Sequence, residues 1–123
     1  MVTIKHLDTY VLWEINRGNP RFLQYLQEPF LISELTLVEY YGVLLREYND
    51  QTAEYWIRQL KKHMQLVPFE ILLKAMKFRD EKKKQDISFF DAVGYIFAKE
   101  SGAIFVTGDK EFKDLPSVEF IKA

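Results

Sequence analysis

The 123-residue sequence contains no cysteine, two histidines, four prolines and five glycines. Without cysteine there is no disulfide framework, no thiol nucleophile and no zinc ribbon. Two isolated histidines assemble no Ser–His–Asp triad, and glycines that stand singly form no phosphate-cradling loop, Gly108 serving only to turn the backbone. No apolar run approaches the ~20 residues of a membrane span, and no signal-like apolar segment follows Met1. The expectation is therefore a cytoplasmic protein with no membrane contact. Repeats, linkers and low-complexity segments are absent too, so one domain over residues 1–123 is expected. At 48% apolar and 15% aromatic composition the chain can build a core unaided.

Positive charge is scarce in the sum, which is −1. Such a balance argues against wholesale nucleic-acid binding, but it averages two unlike regions. Residues 46–84 hold ten Lys/Arg against six Asp/Glu, and the rest hold seven against twelve. Lys74, Lys77, Arg79, Lys82, Lys83 and Lys84 concentrate the excess. They mark either a nucleic-acid surface or a solvated helix end whose cations suit the macrodipole.

Hydrophobic patterning predicts strands at 3–7, 30–33, 65–67, 103–106 and 118–121, the last at a sheet edge after Pro116. Helices are predicted at Val11–Ile15 and from the Asn19-Pro20 cap to Pro29. Others carry the apolar spacing 37, 40, 41, 44, 45, 48 and 53, 56, 57, 60, 64. A helix starts at Phe69, and another runs from Ser88 to Gly102, whose place suits a left-handed cap. Alternating strands and helices imply an α/β fold with a mostly parallel central sheet flanked by helices, with ligands bound at the carboxyl ends of its strands.

Four acids fall at those ends. Asp8 follows the first strand and Asp109 the strand 103–106, while Glu39 and Asp91 lie early in helices. Each also reads as a helix cap, Thr36-x-x-Glu39 and Ser88-x-x-Asp91 matching the capping box. Gathered on one edge, however, carboxylates repel by roughly 1 to 4 kcal/mol per close pair. Neutral caps would avoid that cost. A set of hard oxygen donors without His or Cys suits Mg²⁺ or Mn²⁺, which can activate water against a phosphodiester.

The stretches Leu-Asp8-Thr9-Tyr10, Thr-Leu-Val-Glu39-Tyr-Tyr-Gly, Ser-Phe-Phe-Asp91-Ala and Val-Thr107-Gly-Asp109-Lys-Glu-Phe resemble the PIN domain. Their order, from about Ile4 to Phe120, is similar in particular to the VapC-type toxins of prokaryotic toxin–antitoxin pairs. The resemblance implies a PIN-like three-layer fold and a metal-dependent endoribonuclease. Asp8, Glu39, Asp91 and Asp109 would hold Mg²⁺ (or Mn²⁺), supported by Thr9 and Thr107. It also implies RNA as substrate, a VapB-like antitoxin as partner and a homodimer. Tyr10 departs from the small or polar residue usual there, and either stacks on a base or packs outward. With Lys82, Lys83 and Lys84 it completes the candidate substrate contacts. Lys5 and His6 are further departures, in a strand that is normally apolar.

Several alternatives stand beside these readings. His6 shares a strand face with Asp8 and is either a ligand or a hydrogen-bonded structural residue; His63 reads as solvated. Tyr40, Tyr41, Tyr48 and Trp56 read as core or as an interface. The chain could be a catalytically degenerate PIN fold that binds RNA or protein. A phosphoreceiver domain fits poorly, because only Asp8 follows the first strand and Val67-Pro68 ends the middle one without an acid.

Overall fold

The computed structural model describes residues 3–123. Five parallel strands form its centre: β1 (Lys5–Leu7), β2 (Phe30–Ser33), β3 (Met64–Gln65), β4 (Ile104–Thr107) and β5 (Val118–Phe120). Their order is β3-β2-β1-β4-β5, with β1 between β2 and β4 in the registers His6↔Leu31 and His6↔Phe105. Five helices connect them: α1 (Thr9–Asn16), α2 (Glu34–Glu47), α3 (Asp50–Leu60), α4 (Phe69–Glu81) and α5 (Phe89–Glu100). The chain grows from β1 to β2 to β3, then returns through α4 and α5 to lay β4 on the other side of β1. That reversal opens a crevice at the carboxyl ends of β1 and β4.

Side chains alternate across the strands and meet two helical layers. Leu7, Ile32 and Val106 share one buried cluster with Val11, Leu37, Tyr40 and Leu44 of α1 and α2. Phe105 lies in the other, with Ile71 and Ala75 of α4 and Val93 and Phe97 of α5. This is the expected three-layer α/β fold. Lys5 is accommodated because its ammonium lies 3.0 Å from Glu28 and 3.1 Å from Glu119. Gly102 adopts φ +71°, as expected just past α5.

Several elements differ from expectation. The segment after Asn19-Pro20 forms no α-helix. Asn19 Oδ1 accepts from Arg21 N at 3.1 Å, but the chain tightens into a 3-10 turn at Leu23–Gln27. Phe22 and Tyr25, three residues apart, are its buried contacts, a spacing that a three-residue period presents on one side. The cap of α2 is Ser33 rather than Thr36, with Ser33 Oγ accepting from Thr36 N at 3.1 Å. Tyr48 is 47% exposed and donates to Asn16 Oδ1 at 2.9 Å. It lies beyond the last turn of α2, where the apolar face has left the core. His63 stacks on Phe30, ring centroids 3.9 Å apart, instead of standing in solvent.

Candidate active site

Asp8 leaves the carboxyl end of β1 and caps α1, its Oδ1 accepting from Val11 N at 2.9 Å. It is 2% exposed. Glu39 enters from the second turn of α2, reachable because Ser33 has taken the cap. Its carboxylate accepts from the Thr9 hydroxyl, which ties α2 to the start of α1. Asp91 stands in the first turn of α5, its backbone N–H held by Ser88 Oγ at 3.1 Å. Asp109 follows β4; its N–H donates to Thr107 Oγ1 at 3.0 Å, and its Oδ1 accepts from Glu111 N at 3.0 Å. All four face one cleft of about 590 Å³, lined also by Thr9, Tyr10, Gly108, Lys110 and Lys122.

The electrostatics follow from burial and mutual repulsion. Burial raises the Asp8 carboxyl to about 7, helped by the charges of Glu39 and Asp109 and opposed by hydrogen bonds from Thr107 and Val11. Burial raises Asp91 to about 8, with further upward pressure from Asp8, Glu39 and Asp109. Acids so placed take up either protons or a cation. Their donor atoms are hard oxygens, and the cleft supplies room for an ion and its water, so the residues fit Mg²⁺ or Mn²⁺. Among the described residues no three of them are already drawn into a coordination shell. The carboxylates of Asp8, Glu39 and Asp109 are turned to nearby donors instead, and a cation has to recruit them from those bonds.

The capping readings are resolved residue by residue. Asp8 and Asp109 do cap, and both also face the cleft. Glu39 caps nothing. For Asp91 the observed half of the capping box runs from its backbone N–H to Ser88, leaving the carboxyl toward the other acids.

This arrangement carries a family assignment, because the PIN domain profile matches residues 6–118. The chain belongs to the PIN domain family. No curated protein matches it in sequence. Solved structures that share its PIN fold include a toxin–antitoxin complex from Klebsiella pneumoniae, at 20% identity and TM-score 0.75 over 94% of this chain and 95% of that one. The Mycobacterium tuberculosis VapC described as a sarcin–ricin-loop-cleaving toxin has 18% identity and TM-score 0.75, over 97% and 98%. The VapBC of Rickettsia felis bound to a promoter DNA fragment has 19% identity and TM-score 0.75, over 97% and 99%.

The remaining candidates divide. Thr9 and Tyr10 line the cleft, and Thr107 acts on Asp8 through its hydroxyl. Lys82, Lys83 and Lys84 do not line it; they form the turn after α4. His6 is buried behind the site with both ring nitrogens unpartnered and its ring edge-on to Phe97 at 5.3 Å. Burial lowers it to about 4, so it stays neutral. It is thus not the hydrogen-bonded residue expected, because strand, helix and Phe97 leave it no acceptor. Gly108 has no positive φ, so a left-handed backbone is not what calls for glycine there. A Cβ there would lie 2.3 Å from Tyr10 Cε2, so its lack of a side chain admits the Tyr10 ring. Lys110 and Lys122 escaped sequence reasoning. Lys110 adjoins Asp109 in the motif and could have been suspected, whereas nothing local to Lys122 signals it. No described helix is long and apolar enough to cross a membrane.

Proposed function

We propose that the protein is a metal-dependent endoribonuclease, the toxin of a VapBC-type pair, acting in the cytoplasm. The observation that carries this reading is the meeting of Asp8, Glu39, Asp91 and Asp109 on one cleft. The shared fold of VapC toxins and VapBC complexes supports it.

In this reading the four carboxylates hold Mg²⁺ or Mn²⁺. When bound, the ion polarises the phosphodiester, lowers the pKa of water and offsets negative charge on the phosphorus. The chain's own groups prepare for that. Thr9 orients Glu39, and Thr107 orients Asp8 while gripping the backbone of Asp109. Burial raises Asp8 to about 7 and Asp91 to about 8, so alkaline conditions favour the fully charged acid set.

Protein partners belong to the same proposal: a VapB-like antitoxin and a second copy of the chain. An apolar groove between α2 and α3, lined by Leu37, Val38, Tyr41, Ile57 and Met64, supports such contacts. So does a stripe at the start of α4, where Leu66, Phe69, Leu73 and Met76 are exposed.

Asp8→Asn and Asp91→Asn should each abolish Mn²⁺-dependent RNA cleavage while circular dichroism shows an unchanged fold. Wild-type rates in both variants would refute the metal-site assignment. The local hydrogen bonds on the carboxylates of Asp8, Glu39 and Asp109 favour a second reading, a PIN fold that binds RNA or protein without cutting. Calorimetry distinguishes the two, since a degenerate site binds RNA but takes up neither Mn²⁺ nor Mg²⁺.

A further inference from the structure

The cleft contains cations that its acids do not use. Lys110 and Lys122 line it, and among the described residues neither pairs with a carboxylate. Lys122 has a constructed seat. Its ammonium lies 5.0 Å from the centroid of the Tyr10 ring, an attraction between a cation and the negative face of a π system. The N–H of Ala123 donates to Tyr10 Oη at 2.8 Å, so the segment after β5 is tied to the same ring. Tyr10 is itself braced. It fills the space that Gly108 leaves open, and it meets the edge of Phe22 with centroids 5.8 Å apart.

The reason for such a seat lies in the charge of the site. Four carboxylates attract a metal but repel the phosphates of a polynucleotide. A lysine lodged among them would compete for the metal's position. Lys122 is instead exposed at the rim, held by an uncharged ring that leaves its charge available. We propose that Lys122 grips an RNA backbone phosphate flanking the one that is cut, and that Tyr10 is the positioning residue that presents it. The inference rests on the nuclease reading and deepens it. Tyr10 is then a support for a lysine rather than a base-stacking platform, because Lys122 and Gly108 already occupy its surroundings. An ammonium is a point charge without bidentate geometry, so this grip selects a phosphate and no particular base.

Steady-state cleavage of a fluorescein-labelled single-stranded RNA oligonucleotide tests the idea. Lys122→Ala should raise KM about three- to tenfold with kcat nearly unchanged, and flatten the salt dependence of log(kcat/KM) by about 0.7, the value for one phosphate contact on a single strand. Lys122→Arg should restore both. Tyr10→Leu, which removes the seat, should reproduce the KM effect, while Tyr10→Phe keeps the ring and most of the affinity. An unchanged KM and salt slope in Lys122→Ala would overturn the proposal, as would a fall in kcat alone. If the wild-type protein cuts no RNA, the nuclease reading fails. Fluorescence anisotropy with the same oligonucleotide then decides the Lys122 contact: weaker binding in Lys122→Ala sustains it, equal binding removes it.

Discussion

Lys82, Lys83 and Lys84 form the densest run of positive charge in the chain, whereas Lys110 and Lys122 stand in separate segments. Yet that pair reaches the acid cleft and the run does not. The wider basic segment is also partly spent on structure. Lys74 lies 2.6 Å from Glu100, joining α4 to α5. Arg79 Nε donates to the carbonyl of Ile87 at 2.7 Å and closes the turn before α5. Charge density along a sequence thus says little about charge at a site. What matters is which strand ends and helix starts carry it to the crevice.

The contrast can be attacked at several strengths. Beyond loss of the acids themselves, the largest effect should come from Gly108→Ala, which forces the Tyr10 ring out of its place. Such overpacking typically costs about 1 to 3 kcal/mol, read as a fall in Tm of several degrees together with a raised KM for RNA. Gly42→Ala is its counterpart away from the cleft. The nearest atom to a Cβ there is Arg46 Nη1 at 3.8 Å, and alanine inside a helix should stabilise by about 0.5 to 1 kcal/mol. A Gly108→Ala protein as stable and active as wild type would remove the brace that the contrast depends on.

Of intermediate size is the response to pH. Asp8 and Asp91 titrate at about 7 and about 8 in the folded protein, far above an unfolded aspartate near 3.9. Between those values the folded state holds protons the unfolded state has lost, so stability falls as pH rises. His6 has the opposite sign, but only below pH ~6.5, where the unfolded chain takes up a proton that the buried ring at about 4 refuses. Above pH 6.5 the acids act alone. The Tm of metal-free protein should therefore drop between pH 6.5 and 8.5, and Mn²⁺ or Asp91→Asn should flatten the drop. A flat wild-type profile would show that burial and mutual repulsion do not hold protons on these acids.

The smallest effect is expected for the triple variant Lys82→Ala, Lys83→Ala, Lys84→Ala. Lost from an exposed turn and screened by salt, these charges should alter KM by less than about twofold at 0.15 M ionic strength. A loss as large as that in Lys122→Ala would reverse the comparison.

Much of this architecture was legible in the sequence for local reasons. Short apolar runs became β2 and β4, and the spacing 37, 40, 44 became the buried face of α2. The four acids were legible as candidates because each sits just after a strand or early in a helix, while their convergence rested on the resemblance to the PIN domain. The capping ambiguity at Glu39 was not, since choosing Ser33 over Thr36 depends on where β2 stops. Tyr10, Gly108 and Lys122 were opaque for a stronger reason. Their roles exist only in their mutual contacts, which join residues from opposite ends of the sequence.

The same separation bears on the birth of the protein at the ribosome. Asp8 leaves the exit tunnel well before Asp109, and β1 cannot pair with β4, nor Asp109 approach the cleft, until the intervening residues have followed. A nascent chain that stops short of β4 carries Asp8, Glu39 and Asp91 but lacks Asp109 and the strand whose carboxyl end completes the crevice. Whatever activity the finished cleft possesses is withheld from its own synthesis by the order of the strands.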